Sequence, residues 1–185
     1  MKVTRKIKVE TDKFKVGDII SFTLTDGEKI RARAIKKEDS GMLFCCVDCL
    51  ATEYPMNANS SNEGGYKESD LRKALNSEIL NRFPENIRNL MQPMEYGDLL
   101  RIPTEQEIFG TNEYGEKDDA EQWPCMKKRR NRIAFQGDNG DWGWCWLQNK
   151  RRDSASGFCS VTSSGYASAC GASISLGVRP VFLLS

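Results

Sequence analysis

The sequence contains no histidine among its 185 residues. This absence excludes Ser-His-Asp triads, Cys-His pairs and imidazole metal ligands, because each of these sites needs an imidazole ring. Acid–base chemistry would therefore fall to Asp, Glu, Lys, Tyr or Cys side chains. We expect a protein that is not an enzyme and that uses no cofactor and no metal ion.

The sequence also lacks a charge excess and a long apolar run. Lys and Arg number 27 against 26 Asp and Glu, so the net charge is +1 and no bulk attraction to nucleic acid is expected. No run approaches the ~20 apolar residues that span a bilayer. The basic start, MKVTRKIKVETDKF, never becomes the apolar centre of a secretory signal. We expect synthesis in the cytoplasm without a signal peptide, no membrane insertion, and export, if any, by another route.

The cysteines do not form a recognisable disulfide framework, because their number is odd and their spacing matches none. Cys46 and Cys49 form one C-x-x-C motif, but a zinc site needs a second ligand pair with metal-like spacing. A redox C-x-x-C normally opens a helix, whereas this one continues an apolar run. Small buried thiols are the favoured interpretation, with zinc and redox sites as alternatives. The seven cysteines are Cys45, Cys46, Cys49, Cys125, Cys145, Cys159 and Cys170.

Three strands are predicted over residues 14–50. The segments KVGDIISFTL and KIRARAIKKE flank Asp26-Gly27, which is a strong hairpin signal. The apolar run MLFCCVDCL follows a short turn and is typical of a buried strand. We therefore expect a three-stranded antiparallel meander.

A helix is predicted between Ser69, a good N-cap, and Pro84, which ends it. Its apolar residues recur every four positions and form one stripe facing the core. A second short helix is expected over residues 85–94. Further along, Thr104 and Glu107 predict a capping box at the start of another helical turn. The stripe consists of Leu71, Leu75, Ile79 and Phe83.

Three of the four tryptophans, Trp142, Trp144 and Trp146, alternate at period two. On a strand they would share one face. Since tryptophan contributes much to burial energetics, we expect that face to be the core side.

Residues 166–176 consist mainly of Ser, Ala, Gly and Cys. If the segment is extended, one side carries only tiny side chains. The other side carries Tyr166, Ile174 and Leu176 singly among small residues. Such a surface is typical of recognition sites. A loop of low structural propensity that covers the core is the alternative interpretation.

The chain's last segment predicts a buried strand over residues 181–184, with Pro180 at its start. We expect this strand to lie beside the N-terminal strand within residues 14–24. Arg179 stands between apolar residues, so we expect it to pair with a carboxylate or with backbone carbonyls.

Several motifs resemble the C-type-lectin-fold proteins of bacteria and phages. GVRPVFLL follows a Ser/Ala-rich stretch and is preceded by WLQN and SASGFCSV, and DLRKALN and LLRIPTEQEI also occur. Some members of this family are variable proteins of diversity-generating retroelements, in which an error-prone reverse transcriptase rewrites the end of the gene. The resemblance implies one α+β domain over residues 1–185, with residues 1–13 as an N-terminal extension. It implies antiparallel sheets with two short helices, long irregular loops, and N- and C-terminal strands that pair.

The resemblance also divides the C-terminal region, residues 142–185, into scaffold and ligand contacts. The scaffold would comprise Phe158, Val161, Gly165, Ala167, Ala172, Gly177, Val178, Arg179 and Pro180. The ligand-binding set would comprise Asn149, Lys150, Arg151, Arg152, Ser160, Thr162, Ser163, Tyr166, Ser168, Cys170, Ile174 and Leu176.

The function implied is non-enzymatic recognition of an unknown protein or cell-surface ligand by a diversified face on a stable scaffold. A fixed adhesin-like or phage structural module of the same fold is the alternative, placed in a phage virion or displayed on a surface. Calcium-dependent sugar binding is excluded, because Gln92-Pro93-Met94 replaces the motif it requires and Trp-Asn-Asp is missing. An enzyme that uses cysteine or carboxylates is a third hypothesis.

Overall fold

The computed structural model describes residues 14–185, so the expected N-terminal extension, residues 1–13, lies outside the described residues. The protein is mixed α+β, built mostly of antiparallel strands with a few short helices. This confirms the expected fold class at that level.

The strands form one five-stranded sheet, one three-stranded sheet and two small ribbons. In chain order they are β1 (Ile19–Thr23), β2 (Lys29–Glu38), β3 (Gly41–Cys46), β4 (Tyr54–Pro55), β5 (Met91–Gln92), β6 (Ala134–Phe135), β7 (Trp142–Gly143), β8 (Cys145–Lys150), β9 (Gly157–Val161), β10 (Ala167–Gly171), β11 (Ser175–Leu176) and β12 (Val181–Leu184).

The helices are short and concentrated in the middle of the chain. They are α1 (Gly65–Glu68), α2 (Asp70–Ala74), α3 (Leu80–Arg82), α4 (Glu85–Arg88) and α5 (Glu105–Phe109). A π-helical turn (Leu75–Ile79) joins α2 to α3 into one continuous helix. Single 3₁₀ turns occur at Glu95–Gly97, Pro124–Lys127 and Arg129–Asn131. No helix within residues 14–185 is long and apolar enough to cross a membrane.

The predicted meander is confirmed, because β1 pairs with β2 and β2 pairs with β3, all antiparallel. The turn between β1 and β2 contains Asp26-Gly27, and Gly27 adopts φ 97° there, a conformation that glycine reaches without steric cost. β3 is buried along nearly its whole length, as its apolar run predicts.

The expected pairing of the N- and C-terminal strands is wrong. The five-stranded sheet has the order β1-β2-β3-β12-β5, so β12 lies between β3 and β5 and β1 lies at the edge. All four residues of β12 are buried, whereas most of β1 is exposed. A strand with two apolar faces is stable only where both faces are covered, and the position next to β3 provides this.

Two hydrophobic clusters cover the two faces of β3 and β12. Phe44 and Phe182 stack at a centroid distance of 5.8 Å in the larger cluster, on the face that the helices cover. Leu43 and Leu183 point to the other face and pack in a second cluster. Alternating side chains of one strand therefore serve two cores.

The helix that follows Ser69 forms as predicted. The Ser69 hydroxyl accepts a hydrogen bond from the backbone N–H of Arg72 at 3.1 Å, and the apolar stripe is buried in the larger cluster. Phe83 ends the stripe and lies 5.7 Å from Phe182, so the helix packs on the five-stranded sheet. The predicted capping box of Thr104 and Glu107 is also present at the start of α5.

The expectation that three tryptophans share a core face is wrong for two of them. Trp146 is fully buried and its Nε1 donates to the Tyr54 carbonyl oxygen at 2.8 Å. Trp142, however, is 65% exposed and Trp144 is partly exposed. β7 ends at Gly143 and β8 begins at Cys145, so Trp144 lies between two strands. The alternation of side chains between two faces is therefore interrupted there.

Candidate functional site

The segment rich in small residues forms the edge strand β10 of the three-stranded sheet, whose order is β10-β9-β8. It pairs antiparallel with β9, with Ala167 opposite Val161 and Cys170 opposite Phe158. All five residues of β10 are half-buried. The interpretation of this segment as a loop is therefore wrong, because tiny side chains let the strand lie close against its neighbour while its outer edge remains open.

Large side chains project into solvent at both ends of β10. Tyr166 precedes the strand and is 57% exposed, and Ile174 follows it and is 52% exposed. A tight turn holds Tyr166, whose backbone N–H donates to the Thr162 hydroxyl at 3.0 Å. Gly165 in that turn has φ 79°, and a Cβ there would lie 2.9 Å from the Arg129 carbonyl oxygen. The turn is thus packed against a distant part of the chain.

Arg129 is a further candidate residue, and the sequence patterns do not reveal its place beside Tyr166. Its guanidinium lies over the Tyr166 ring, 5.1 Å from the centroid, and donates to the Ser164 carbonyl oxygen at 2.8 Å. Arg129 belongs to the basic run 127–130, whose four side chains are all exposed. No signal in the sequence connects this run with Tyr166, because only the fold brings them together.

Two residues of the predicted contact set are not displayed. Ser160 lies on the central strand β9 and is buried, and within residues 14–185 its hydroxyl has no hydrogen-bond partner. Leu176 lies on β11 opposite Tyr54 and packs into the larger cluster. The expected exposure of both side chains is wrong.

The reason for the Leu176 error is a turn over residues 172–174. It interrupts the extended segment that was expected to run from residue 166 to residue 176. Ala172 is buried in this turn while Ile174 is exposed, although both have the same parity. Parity therefore predicts the orientation of side chains only as far as the end of β10.

Asn149 and Lys150, at the end of β8, contact the neighbouring loop. Asn149 Oδ1 accepts from the Glu105 backbone N–H at 2.6 Å, and its Nδ2 donates to Asp118 Oδ2 at 2.7 Å and to the Glu116 carbonyl oxygen at 3.0 Å. Lys150 Nζ lies 3.4 Å from Glu116 Oε1. Asn149 is thus a framework residue in this structure.

The two arginines that follow are also engaged. Arg151 Nε donates to Asp153 Oδ1 at 2.6 Å, and this exposed pair lowers the pKa of the Asp153 carboxyl. Arg152 is exposed and donates to the Glu113 carbonyl oxygen at 2.5 Å. Asn149 is therefore bound to the framework, whereas Arg151 and Arg152 make only surface contacts, with the Asp153 side chain and a loop carbonyl.

A buried carboxylate organises the loop that Asn149 contacts. Glu105, fully buried at the first position of α5, accepts backbone N–H bonds from Tyr114 at 3.0 Å and Gly115 at 2.9 Å. A Cβ at Gly115 would lie 2.5 Å from the Asn149 Cβ, so only glycine fits this approach. The acidic segment that contains Gly115 is therefore anchored to β8 and α5.

The side chains around β10 include neither a reactive thiol nor a group of metal ligands within the described residues. Burial raises the pKa of the Cys170 thiol, and burial together with Glu105 raises that of Cys159, so both thiols are protonated at neutral pH. Within residues 14–185 no three His, Cys, Asp or Glu side chains are grouped to hold a metal ion. What faces solvent is one aromatic ring, one aliphatic side chain, small hydroxyls and a basic cluster.

The buried Arg179 connects the C-terminal segment with β3 and with the residues after the basic run. Its Nε donates to the Cys46 carbonyl oxygen at 3.1 Å, and its Nη1 donates to the Arg132 carbonyl oxygen at 3.3 Å. The sequence predicts that Arg179 pairs with a carboxylate or with backbone carbonyls, and in the structure its partners are backbone carbonyls. These contacts join the C-terminal segment to the stretch that follows the basic run, so scaffold and basic cluster are held together.

Residues 35–185 match the family described as a domain of unknown function, DUF6273. The chain belongs to this family. No curated protein and no solved structure matches the chain. The DUF6273 match begins inside β2 and runs to the last residue, so it includes β8, β9, β10 and all the candidate contact residues. β1 lies outside it.

Proposed function

We propose that this DUF6273 domain is a non-enzymatic recognition module with a C-type-lectin-like fold, which displays a diversified face around β10. The sequence motifs that resemble that fold lie in the helix after Ser69, in the capping-box segment and in β12. The resemblance and the open surface at β10 support the proposal together.

The observation that carries the proposal is that the exposed side chains around β10 are different residues from those that stabilise the fold. Tyr166 and Ile174 project into solvent, whereas Phe158, Ala172 and Val178 nearby are fully buried. A surface tolerates variation only if the residues that stabilise the fold lie elsewhere. This separation is what a diversified binding face requires.

The surroundings of Tyr166 indicate the chemistry of the partner. The basic residues 127–130 are exposed, and none of them takes part in an ion pair within the described part of the chain. Tyrosine and arginine are the side chains most often decisive at protein interfaces. Positive charge beside an exposed ring favours a partner surface that carries carboxylates. We therefore propose a protein partner with an acidic surface.

A display experiment tests this proposal. A library randomised at Tyr166, Ser168, Cys170 and Ile174 is selected for binding to immobilised α-lactalbumin, an acidic globular protein. We expect binders to emerge. Changes at the exposed Tyr166 and Ile174 should alter stability by no more than about 0.5 kcal/mol, whereas large side chains at the half-buried Ser168 and Cys170 should cost more. In a selected binder, Arg129→Glu should weaken binding to the acidic protein, because it reverses the charge beside position 166.

A second library, randomised at Phe158, Val161, Ala172 and Val178, serves as the matched control, because these neighbouring residues are buried. We expect most of its members to unfold. The proposal fails if the face library unfolds as often as the buried library, or if it yields no binder.

The alternative function, a fixed adhesin-like or phage structural module of the same fold, is favoured by one observation. Ser160 and Leu176 are buried, and Asn149 is hydrogen-bonded to α5, so all three belong to the framework. Fewer positions are then free to vary than the resemblance implies. Sequencing the locus distinguishes the two. Variable proteins require a nearby near-repeat of the codons for residues 145–180 and a reverse transcriptase gene, and absence of both leaves only the fixed module.

A further inference from the structure

Two buried cysteines from distant parts of the chain meet sulfur to sulfur. Cys49 follows β3 and Cys145 begins β8, and their Sγ atoms are 2.8 Å apart although the residues are 96 positions apart in sequence. With Ala134 they form a small buried cluster of their own. The pair joins the segment after the five-stranded sheet to the first residue of the three-stranded sheet.

Backbone hydrogen bonds fix the positions of both cysteines. The Cys49 N–H donates to the Phe135 carbonyl oxygen at 2.9 Å, and Cys145 forms a bridge with Gly177. A Cβ at Gly177 would lie 2.6 Å from Cys49 Sγ, so the sulfur fills the space that the glycine leaves. A small rotation of the two side chains would bring the sulfurs to the bonding distance of about 2.05 Å.

The electrostatic surroundings favour a thiolate in this pair. The Cys49 thiol, hydrogen-bonded to Cys145, lowers the pKa of the Cys145 thiol, and the buried Arg179 guanidinium lowers it further. Burial raises the pKa of Cys49. Arg179 contacts only backbone carbonyls and forms no ion pair within residues 14–185. Its charge is therefore available to stabilise an anionic sulfur.

One of the two cysteines, although only 2% exposed, borders a cavity. Cys49 lines a cavity of about 310 Å³ together with Asp48, Arg31 and the turn residues Gly137 and Asp138. Cys145 does not line this cavity and lies behind Cys49. A small reagent would therefore meet Cys49 first, with Cys145 placed to react second.

We propose that Cys49 and Cys145 are a thiol pair that forms a reversible disulfide by exchange with a low-molecular-weight disulfide. Cys49 passes its proton to the Cys145 thiolate and attacks one sulfur of the reagent, whose S–S bond breaks, and the released thiolate takes a proton from solvent. Cys145 then gives up its proton and attacks Cys49 Sγ in the mixed disulfide, and the second small thiolate leaves and is protonated in turn. Both cysteines are oxidised, and the small disulfide is reduced to two thiols.

The disulfide would join the segment after β3 to the first residue of β8. It would close a ring of nearly 100 residues, and cross-links over long loops restrict the unfolded chain most. This inference concerns the scaffold and does not depend on the proposed recognition function.

Reduced protein is treated with bis(2-hydroxyethyl) disulfide, alkylated, and digested for mass spectrometry without reduction. We expect a peptide pair linked through Cys49 and Cys145, lighter by two hydrogen atoms than the separate peptides. The melting temperature of the oxidised protein should rise by roughly 5–15 °C. Cys125→Ser, which changes a half-buried thiol outside the pair, should show the same link and the same shift.

In Cys145→Ser the second step is missing, so we expect the reagent to remain on Cys49 as a mixed disulfide. If this variant does not fold, peptide mapping of the protein without substitutions tests the proposal by itself. Recovery of both Cys49 and Cys145 as alkylated thiols after treatment overturns the proposal, and so does a link between either of them and another cysteine.

Discussion

β8 and β10 form the two edges of the same three-stranded sheet, but their side chains have different partners. On β8, Trp146 and Leu147 are buried in two different clusters. Asn149 makes three hydrogen bonds, one to the start of α5 and two to the loop that follows it. β10 is held mainly by its backbone pairing with β9, and its side chains are half-buried and small. An edge strand can therefore be either part of the framework or an open surface, and the contacts beyond the sheet decide which.

The largest effect expected from this difference is at Trp146. Trp146→Ala removes a fully buried ring and its hydrogen bond to Tyr54, so it should lower the free energy of unfolding by about 3–5 kcal/mol. Urea unfolding followed by circular dichroism measures this. The control Trp142→Ala, at an exposed ring, should change stability by no more than about 0.5 kcal/mol. Equal losses in both variants would mean that β8 is not the anchored edge.

The next test separates two residues on either side of the turn after β10. Leu176→Ala should cost about 2–5 kcal/mol, because the side chain packs in the larger cluster. Ile174→Ala should cost less than about 0.5 kcal/mol, since the side chain is mostly exposed. Thermal denaturation of the two variants in parallel gives the comparison. A larger loss of stability in Ile174→Ala than in Leu176→Ala would contradict the turn over residues 172–174 and favour the extended segment expected over residues 166–176.

A smaller effect is expected at the polar contacts of the two strands. Asn149→Ala leaves the Glu105 N–H without its acceptor and removes one of the two amide donors to Asp118 Oδ2, which should cost about 1–3 kcal/mol. Ser168→Ala on β10 is the matched polar change and should be neutral within about 0.5 kcal/mol. Chemical denaturation compares them, and a neutral Asn149→Ala would return that residue to the candidate contact set.

The mildest test leaves the sequence unchanged and measures thiol accessibility. Cys170 on β10 is half-buried and Cys145 on β8 is buried, so iodoacetamide should label Cys170 about tenfold faster in the folded protein. Burial raises the pKa of Cys170 above its ordinary value of 9.0. The thiolate is the reactive form, so the labelling rate should keep rising as the pH passes 9.0 instead of levelling off there. Mass spectrometry over a pH series reads this out, and faster labelling of Cys145 would contradict the comparison.

Much of the fold could be predicted from local patterns. The meander followed from Asp26-Gly27 and its flanking strands, and the helix after Ser69 followed from its cap and its apolar stripe. These signals succeed because each depends on neighbouring residues only. The exposure of Tyr166 and Ile174 was also anticipated, since isolated large side chains among tiny ones have no regular core pattern.

The rest depends on contacts between residues far apart in the chain. Nothing near Tyr166 predicts that Arg129 lies over its ring, and nothing near Asn149 predicts its bonds to Glu105 and Asp118. The tryptophan pattern failed because the extended segment is interrupted at Trp144, between β7 and β8. Periodicity gives the orientation of side chains only while the strand continues.

By itself, the sequence determined the meander, the helix after Ser69 and the burial of β12, because short-range propensity and apolar patterning act within a segment. The helix expected over residues 85–94 is wrong beyond Arg88, since Met91–Gln92 pair with β12 as β5. Only the tertiary structure decided that β12 lies between β3 and β5, that β8 is anchored while β10 is open, and that Cys49 meets Cys145. These outcomes depend on which surfaces are left to pack once the segments have formed. That is a property of the assembled fold, to which residues distant in the chain contribute equally.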